Sequence, residues 1–104
     1  MTQPYSGLRI LDVTGIAGAY GTRLFASLGA EVIKLEPAGG SPVRQLGPFL
    51  ENAPNNEGSL WWAYLAMGSK SVVADPISNR DSLQTLIESC DVIFDDELPE
   101  TSKL

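Results

Sequence analysis

The sequence has no histidine and only one cysteine, Cys90, among its 104 residues. Zinc sites and the common hydrolase triads depend on histidine or cysteine, so the sequence lacks the residues from which both kinds of site are usually built. A single cysteine also excludes an internal disulfide. Because no histidine is present to activate the thiol, we interpret Cys90 as a packing residue at a helix end. We expect no metal site, and any chemistry would use carboxylates, lysine, tyrosine or backbone amides.

Positive charge is also scarce, with 7 lysines and arginines against 13 aspartates and glutamates, which gives a net charge of −6. Neither a nucleic acid nor an anionic membrane is expected as a partner, because both require a basic surface. The longest apolar run covers residues 60–67, far short of the ~20 residues that a membrane-spanning helix needs. The amino terminus lacks the pattern of a secretory signal. These features predict a cytoplasmic protein.

The chain ends in Ser102-Lys103-Leu104, and a terminal S-K-L tripeptide is a peroxisomal targeting signal. A peroxisomal location is therefore the alternative. If the 104 residues are a piece of a longer chain, we expect the tripeptide to be accidental.

Strand and helix patterns alternate along the chain. The predicted strands are residues 9–13, 31–35, 71–74 and 91–94. The first helix ends at Gly29, the second is an aromatic segment at residues 59–67, and the third follows a capping box from Ser78 to Asp81. This order predicts an α/β fold, a Rossmann-like open sheet of about four strands, mostly parallel, with flanking helices.

A long loop is predicted at residues 37–58, which contain four prolines, a Gly39-Gly40 pair and Asn55-Asn56. Loops of this length inside a compact domain are usually functional or disordered. In an open parallel sheet, ligands bind beyond the carboxyl ends of the strands. These ends are residues 14–18, 36–40, 74–76 and 95–97.

Three glycines, Gly15, Gly18 and Gly21, lie between the first strand and the first helix. They do not satisfy the dinucleotide fingerprint G-x-G-x-x-G, because each register leaves a β-branched residue at the first position. Glu36, at the end of the second strand, is where a ribose-binding acid would sit. An NAD-type oxidoreductase fragment therefore stays one alternative. The other is that the glycines only allow close packing of strand and helix.

Five blocks carry a more specific resemblance, in order: "GLRILDVT", "AGAYGTRLFASLGAEVIKLE", "GGSPVRQLGPF", "SKSVVAD" and "CDVIFDD". Together they resemble the start of the class III CoA-transferases (CaiB/BaiF), the family of formyl-CoA transferase, carnitine CoA-transferases and α-methylacyl-CoA racemase. The resemblance covers almost the whole chain.

The resemblance implies that residues 1–104 are the amino-terminal part of a nucleotide-type domain that binds coenzyme A, within a longer chain. It implies CoA thioesters and carboxylic acids as substrates, no tightly bound cofactor, and an interlocked homodimer. In this family an aspartate attacks the thioester and forms a mixed anhydride, which is nucleophilic catalysis. That aspartate lies beyond the equivalent of Leu104. We therefore expect no catalytic residue here and a chain that is inactive alone.

Four residues match positions where the family contacts CoA. Ala17 and Gly18 lie in the first strand–helix turn, whose amides could face a phosphate at a helix amino terminus. Asp75 follows the third strand. Arg44 matches the arginine of the family's D-P-x-R block, and it either pairs with a phosphate or ties the long loop down.

Several residues depart from the family pattern and lower the expected affinity for CoA. The departures are a turn at residues 14–18 that is one residue shorter, Ala19 in place of proline, Pro37 where some members carry an arginine, Lys70 as a single basic residue where two are usual, and Asp95-Asp96-Glu97 in place of E-N-F. Lost cations and added carboxylates disfavour a polyphosphate by charge repulsion. A degenerate half or scaffold module of a fused transferase is therefore the main alternative.

The acids also have structural interpretations, and Asp75 has one beside its match to a CoA-contact position. Asp12 and Asp75 match the family's structural aspartates, and Asp95-Asp96-Glu97 is typical of a solvated acidic turn. The aromatic residues Trp61, Trp62 and Tyr64 are interpreted as core or interface packing rather than as an adenine platform. If a full-length chain covers this face, the fragment alone would self-associate, and we expect Trp62→Ser to change its oligomeric state.

Overall fold

The computed structural model describes residues 3–53 and 57–96, in which four strands alternate with three α-helices and one 3-10 helix. The elements are β1 (Arg9–Asp12), α1 (Ala19–Ser27), β2 (Glu31–Glu36), the 3-10 helix (Pro42–Gln45), α2 (Leu60–Leu65), β3 (Lys70–Val73), α3 (Arg80–Glu88) and β4 (Val92–Phe94). The predicted boundaries differ from these by a few residues, because helix and strand ends depend on capping and pairing.

The four strands form one sheet in the order β3-β2-β1-β4, and every neighbouring pair is parallel. The predicted α/β fold is therefore confirmed, with an all-parallel sheet between flanking helices. Parallel strands need crossover connections, and the helices supply them. Because β3 lies at one edge of the sheet and β4 at the other, the connection through α3 passes both central strands.

The core is centred on the two inner strands. Ile10 and Leu11 of β1 have no exposed surface, and Val32 and Ile33 of β2 are almost as buried. Successive residues of a strand point to opposite faces. Ile10 and Val32 pack on one face with Phe25 of α1. Burial of both faces explains why these strands are continuous apolar runs rather than alternating ones.

The predicted ending of α1 is confirmed, whereas the predicted start of α3 is wrong. Gly29 has a φ of +103° just after α1, in the left-handed region that favours glycine. The residue before α3 is Asn79, without a side-chain cap, and not Ser78. The Asn79 side chain instead accepts a hydrogen bond from the Asp75 N–H at 2.9 Å. A tight turn between these residues, closed by the Asn79 N–H and the Asp75 carbonyl, replaces the capping box.

The long connection after β2 is ordered by local hydrogen bonds where it is described. Ser41 accepts a hydrogen bond from the Val43 N–H and begins the 3-10 helix. Ser59 is buried and accepts one from the Trp62 N–H at 3.1 Å, which begins α2, while its hydroxyl lies 2.7 Å from the Leu46 carbonyl oxygen. One serine therefore ties α2 to the 3-10 helix. Pro54, Asn55 and Asn56, which contributed to the loop prediction, lie outside the described residues.

Cys90 lies just after α3 and is half-buried rather than buried. Its N–H donates to the Ile87 carbonyl oxygen at 3.1 Å. The expected position at a helix end is therefore correct, but the thiol is only partly enclosed. Across residues 3–53 and 57–96, no helix has the length and apolar character needed to cross a membrane.

The two tryptophans of α2 lie in different environments, which corrects the residue expected to drive self-association. Trp62 packs against a buried cluster of Ala19, Val43 and Leu65. Trp61 is 49% exposed, and Tyr64 is 46% exposed. The exposed aromatic surface therefore belongs to Trp61 and Tyr64, because successive helix positions point in different directions.

We expect Trp61→Ser to reduce self-association of the chain without changing its stability by more than about 0.5 kcal/mol, the usual limit for surface changes. Trp62→Ser should instead lower the free energy of unfolding by about 2 kcal/mol or more, because it removes a packed ring. Sedimentation velocity and urea unfolding of both variants would check this. Equal sedimentation of Trp61→Ser and the parent would contradict it.

Candidate functional site

The sheet order places a crevice between the carboxyl ends of β1 and β4. The chain builds outward from β1 through β2 to β3 and then returns to the other side of β1. Open α/β sheets bind ligands where the strand order reverses in this way. The Val13 N–H donates to the Phe94 carbonyl oxygen at 2.9 Å and holds the two strand ends together.

A carboxylate already occupies the turn amides in this crevice. The Gly15 N–H lies 3.0 and 3.1 Å from the two carboxylate oxygens of Asp96, and the Gly18 N–H donates to the same group at 2.9 Å. Asp96 is exposed, as the interpretation of a solvated acidic turn predicts, but it also makes this specific contact, which the sequence did not predict. Glu97 lies outside the described residues. Local sequence held no signal for this contact, because the partners are 78 to 81 positions apart.

Gly18 is required by close approach, whereas Gly15 and Gly21 are not. A Cβ atom at Gly18 would lie 2.5 Å from Cγ2 and 2.8 Å from Cβ of Thr14. A Cβ atom at Gly15 or Gly21 would meet nothing within 4 Å. The interpretation that the glycines permit close packing therefore holds at Gly18 alone. Gly15 contributes through its backbone amide.

Asp12, the last residue of β1, stabilises this turn through its buried carboxylate. It is 1% exposed. One of its carboxylate oxygens accepts from the Thr14 N–H at 2.8 Å, and the other accepts from the Thr22 hydroxyl and from Lys34 Nζ, both at 2.6 Å. Its carboxylate therefore links the turn, α1 and β2, which agrees with the structural role expected for it.

Glu36, the last residue of β2, is the centre of a second buried network. It accepts from Arg44 Nε at 2.6 Å, from Arg44 Nη2 at 2.9 Å and from the Ser41 N–H at 2.8 Å. The Ser71 hydroxyl of β3 also donates to it. Burial alone would raise the pKa of Glu36, but the hydrogen bonds from Arg44, Ser71 and Ser41 lower it to about 2. The same ion pair raises the pKa of Arg44.

These contacts bear on two sequence interpretations. Glu36 is 1% exposed, and its carboxylate accepts hydrogen bonds from three other residues of the chain. It is therefore not available to bind a ribose hydroxyl, and the NAD alternative has no ribose-binding acid at this position. Arg44 ties the long loop to the end of β2, which is one of the two roles considered for it. A contact between Arg44 and a phosphate stays a prediction.

Trp62 lies between the two buried ion pairs. The guanidinium carbon of Arg44 is 4.0 Å from the ring centroid, and Lys34 Nζ is 5.9 Å from it, so both cations contact the ring. The cavity beside these groups measures about 10 Å³, which is the space of about one water molecule. A second, more open cavity of about 280 Å³ also lies against these groups, with Lys34, Arg44 and Trp62 in its lining. The two networks therefore stabilise the scaffold and also contribute to the wall of this open cavity.

The structure places all four predicted CoA-binding residues beyond the carboxyl ends of strands, but not in one cluster. Ala17 and Gly18 share the turn after β1. Arg44 contacts the end of β2, and Asp75 follows β3, where its carboxylate accepts from the Ile77 N–H at 2.8 Å. Asp75 and the turn belong to strands that are separated by β2, and two strand spacings amount to roughly 10 Å. Their binding roles stay predictions.

Within the described ranges, no three histidine, cysteine, aspartate or glutamate residues gather as a metal site would require. The acids at the carboxyl edge are instead held by amides, hydroxyls and cations. The turn after β1 orients an anion, at present the Asp96 carboxylate, and the buried Asp12–Lys34 pair supports that turn. The second buried pair, Glu36–Arg44, holds the loop after β2.

Comparison with known proteins agrees with the family resemblance of the five sequence blocks. The model of CoA-transferase family III matches residues 5–103. The succinyl-CoA:(R)-benzylsuccinate CoA-transferase subunit BbsE of Thauera aromatica is 34% identical over 97 residues, which cover 91% of this chain and 24% of that protein. The acetyl-CoA:oxalate CoA-transferase of Acetobacter aceti is 29% identical over 100 residues, or 92% of this chain and 24% of the relative.

A solved structure shares the fold. The CaiB/BaiF family protein from Brucella suis superposes with a TM-score of 0.80 and 26% identity, and the match covers 91% of this chain and 26% of that one. The chain therefore spans about a quarter of the length of the relatives that it matches. Because the family model covers residues 5–103, nearly the whole sequence, the chain belongs to CoA-transferase family III.

Proposed function

We propose that this chain is the amino-terminal CoA-binding segment of an acyl-CoA:carboxylate CoA-transferase, or of a related acyl-CoA racemase. The observation that carries the proposal is the match of CoA-transferase family III to residues 5–103. The substrates are a CoA thioester and a carboxylic acid, in a cytoplasmic protein. Residues 1–104 form the first part of the CoA domain, and the whole protein is an interlocked homodimer.

The chemistry requires a carboxylate that attacks the thioester carbonyl carbon, releases CoA thiolate and forms a mixed anhydride. The buried aspartate of this segment is unsuited to that step, because Asp12 is held by Thr14, Thr22 and Lys34. As the resemblance to the family implies, we assign the nucleophile to an aspartate outside residues 1–104. The segment contributes binding and orientation, and it is inactive alone.

Ligand-dependent melting of the chain tests the binding role. A ligand that binds only the folded state, at 100 times its dissociation constant, adds about 2.7 kcal/mol to the free energy of unfolding. We expect a rise in melting temperature with CoA and none with NAD. A response to NAD alone, or to neither compound, would contradict the proposal. Consumption of succinyl-CoA by the chain alone would contradict its predicted inactivity.

A specific contact favours the second candidate, a degenerate half or scaffold module. The Asp96 carboxylate lies on the turn amides that an anionic ligand would use. A module that has lost CoA would show no melting response, although it would keep the fold and its contacts with the rest of the protein. The two candidates therefore predict opposite results in the same CoA titration.

A further inference from the structure

The Asp96 carboxylate and the turn amides form a closed contact between two elements that are far apart in sequence. Both oxygens of Asp96 take part, with Gly15 N at 3.0 and 3.1 Å and Gly18 N at 2.9 Å. Hydrogen bonds from backbone N–H groups to an ionised carboxylate are stronger than neutral ones. The carboxylate lies at the amino terminus of α1, where the helix dipole also favours negative charge.

We propose that Asp96 is a specificity-determining residue that excludes phosphate groups from this turn by acting as an internal anion. An incoming phosphate would need the same amide hydrogens that the carboxylate accepts. It would also meet the charge of the exposed Asp96 carboxylate at short range, and this repulsion is largest at low ionic strength. While the Asp96 carboxylate accepts from the Gly15 and Gly18 amides, these amides are closed to a phosphate group.

The surroundings hold the contact in place. Thr14 is fixed by Asp12, through its N–H at 2.8 Å and its hydroxyl at 2.5 Å, so the turn cannot move freely away from β1. The Val13 N–H donates to the Phe94 carbonyl oxygen, which keeps the end of β4 beside the turn. A Cβ atom at Gly18 would lie 3.4 Å from Cβ of Asp96, so the two residues are already in contact. The carboxylate is therefore positioned by both strands.

The inference rests on the proposed function for its natural ligand, CoA, and on the structure alone for the contact. Isothermal titration calorimetry at low ionic strength, with inorganic pyrophosphate and with CoA, tests the inference about Asp96 separately from the proposed function. We expect Asp96→Asn to bind pyrophosphate at least about tenfold more tightly than the parent. The substitution removes the charged acceptor that competes with pyrophosphate for the Gly15 and Gly18 amides. Asp96→Ala, which removes the acceptor altogether, should bind at least as tightly.

Asp95→Asn is the matched control, because it removes the same charge from the neighbouring position. Equal gains for Asp95→Asn and Asp96→Asn would show a general charge effect and overturn the inference. No gain for Asp96→Asn and Asp96→Ala would overturn it too. If both Asp96 variants are unfolded by circular dichroism, Asp96 is a structural residue and the inference is wrong.

The CoA titration decides the proposed function separately. Tighter binding of both pyrophosphate and CoA to Asp96→Asn would support both statements. Tighter binding of pyrophosphate with no binding of CoA to any variant would support the exclusion by Asp96 and contradict the proposed function. NMR locates the effect, because the amide signals of Gly15 and Gly18 should shift on addition of pyrophosphate to Asp96→Asn and not to Asp95→Asn.

Discussion

Replacing Lys34 with methionine should lower the free energy of unfolding by about 3–5 kcal/mol, because it leaves a buried carboxylate without its cation. Lys34 Nζ lies 2.6 Å from the Asp12 carboxylate, and the two side chains are 7% and 1% exposed. Asp12 would keep its bonds from Thr14 and Thr22, but those are donors without charge. Urea unfolding followed by circular dichroism measures the change.

The same substitution at Lys70 is the control. Lys70 Nζ lies 2.8 Å from the Glu31 carboxylate, but its side chain is 69% exposed. Surface ion pairs contribute about 0–1 kcal/mol, so Lys70→Met should change stability little. The pair does lower the pKa of Glu31, through the Lys70 hydrogen bond, but solvent weakens its effect on folding.

The double variant Asp12→Asn with Lys34→Met tests the cause. If the loss comes from an uncompensated charge, removing the carboxylate charge should recover at least about half of it, since neighbouring sites in one network are not additive. A Lys34→Met chain within about 1 kcal/mol of the parent would contradict the argument. Equal losses in the single and double variants would point to packing rather than to charge.

Glu36→Gln should cost about 2–3 kcal/mol at neutral pH, and this cost should disappear in acid. The pKa of Glu36 is about 2 in the folded chain and 4.5 as its ordinary value, and a difference of this size is a stability contribution. Because the folded pKa is the lower one, the contribution is complete above pH 4.5 and is lost as the pH falls towards 2.

The measurement is the difference in free energy of unfolding between the parent and Glu36→Gln at several pH values. Taking a difference removes the other acids that also titrate. Glu88→Gln, on the exposed surface of α3, is the control and should stay within about 0.5 kcal/mol of the parent. A parent-to-variant difference that does not shrink between pH 4.5 and pH 2 would contradict the assignment of the low pKa to Glu36.

Much of the fold was predictable because its elements carry local signals. The continuous apolar strands, the helical spacing in α1 and the glycine after it depend on residues that are close in sequence. The start of α3 was predicted wrongly because the local signals there are ambiguous. Two competing local patterns overlap there, and the turn from Asp75 to Asn79 is the one that forms.

The candidate site was predictable only in part. The turn at Ala17 and Gly18 lies at the carboxyl edge as expected, because all strands of a parallel sheet end at one edge. The acid that occupies its amides was missed, since nothing near Asp96 in sequence indicates Gly15 or Gly18 as its partner. From the sequence, Trp61, Trp62 and Tyr64 form one aromatic face with Trp62 as the residue chosen to test self-association, whereas the exposed rings are Trp61 and Tyr64. Tertiary packing decides which side of a short helix is buried, and the spacing of three aromatic residues does not.

The sequence by itself determined the type and order of the elements, the family, and the scarcity of groups for metal or hydrolase chemistry. The tertiary structure alone decided that β4 lies beside β1, that Lys34 pairs with Asp12, and that Arg44 pairs with Glu36. Element type follows from hydrophobic periodicity within a few turns of chain. Strand order and buried charge pairs depend on contacts between distant residues, in which each group takes the partner that best offsets its burial.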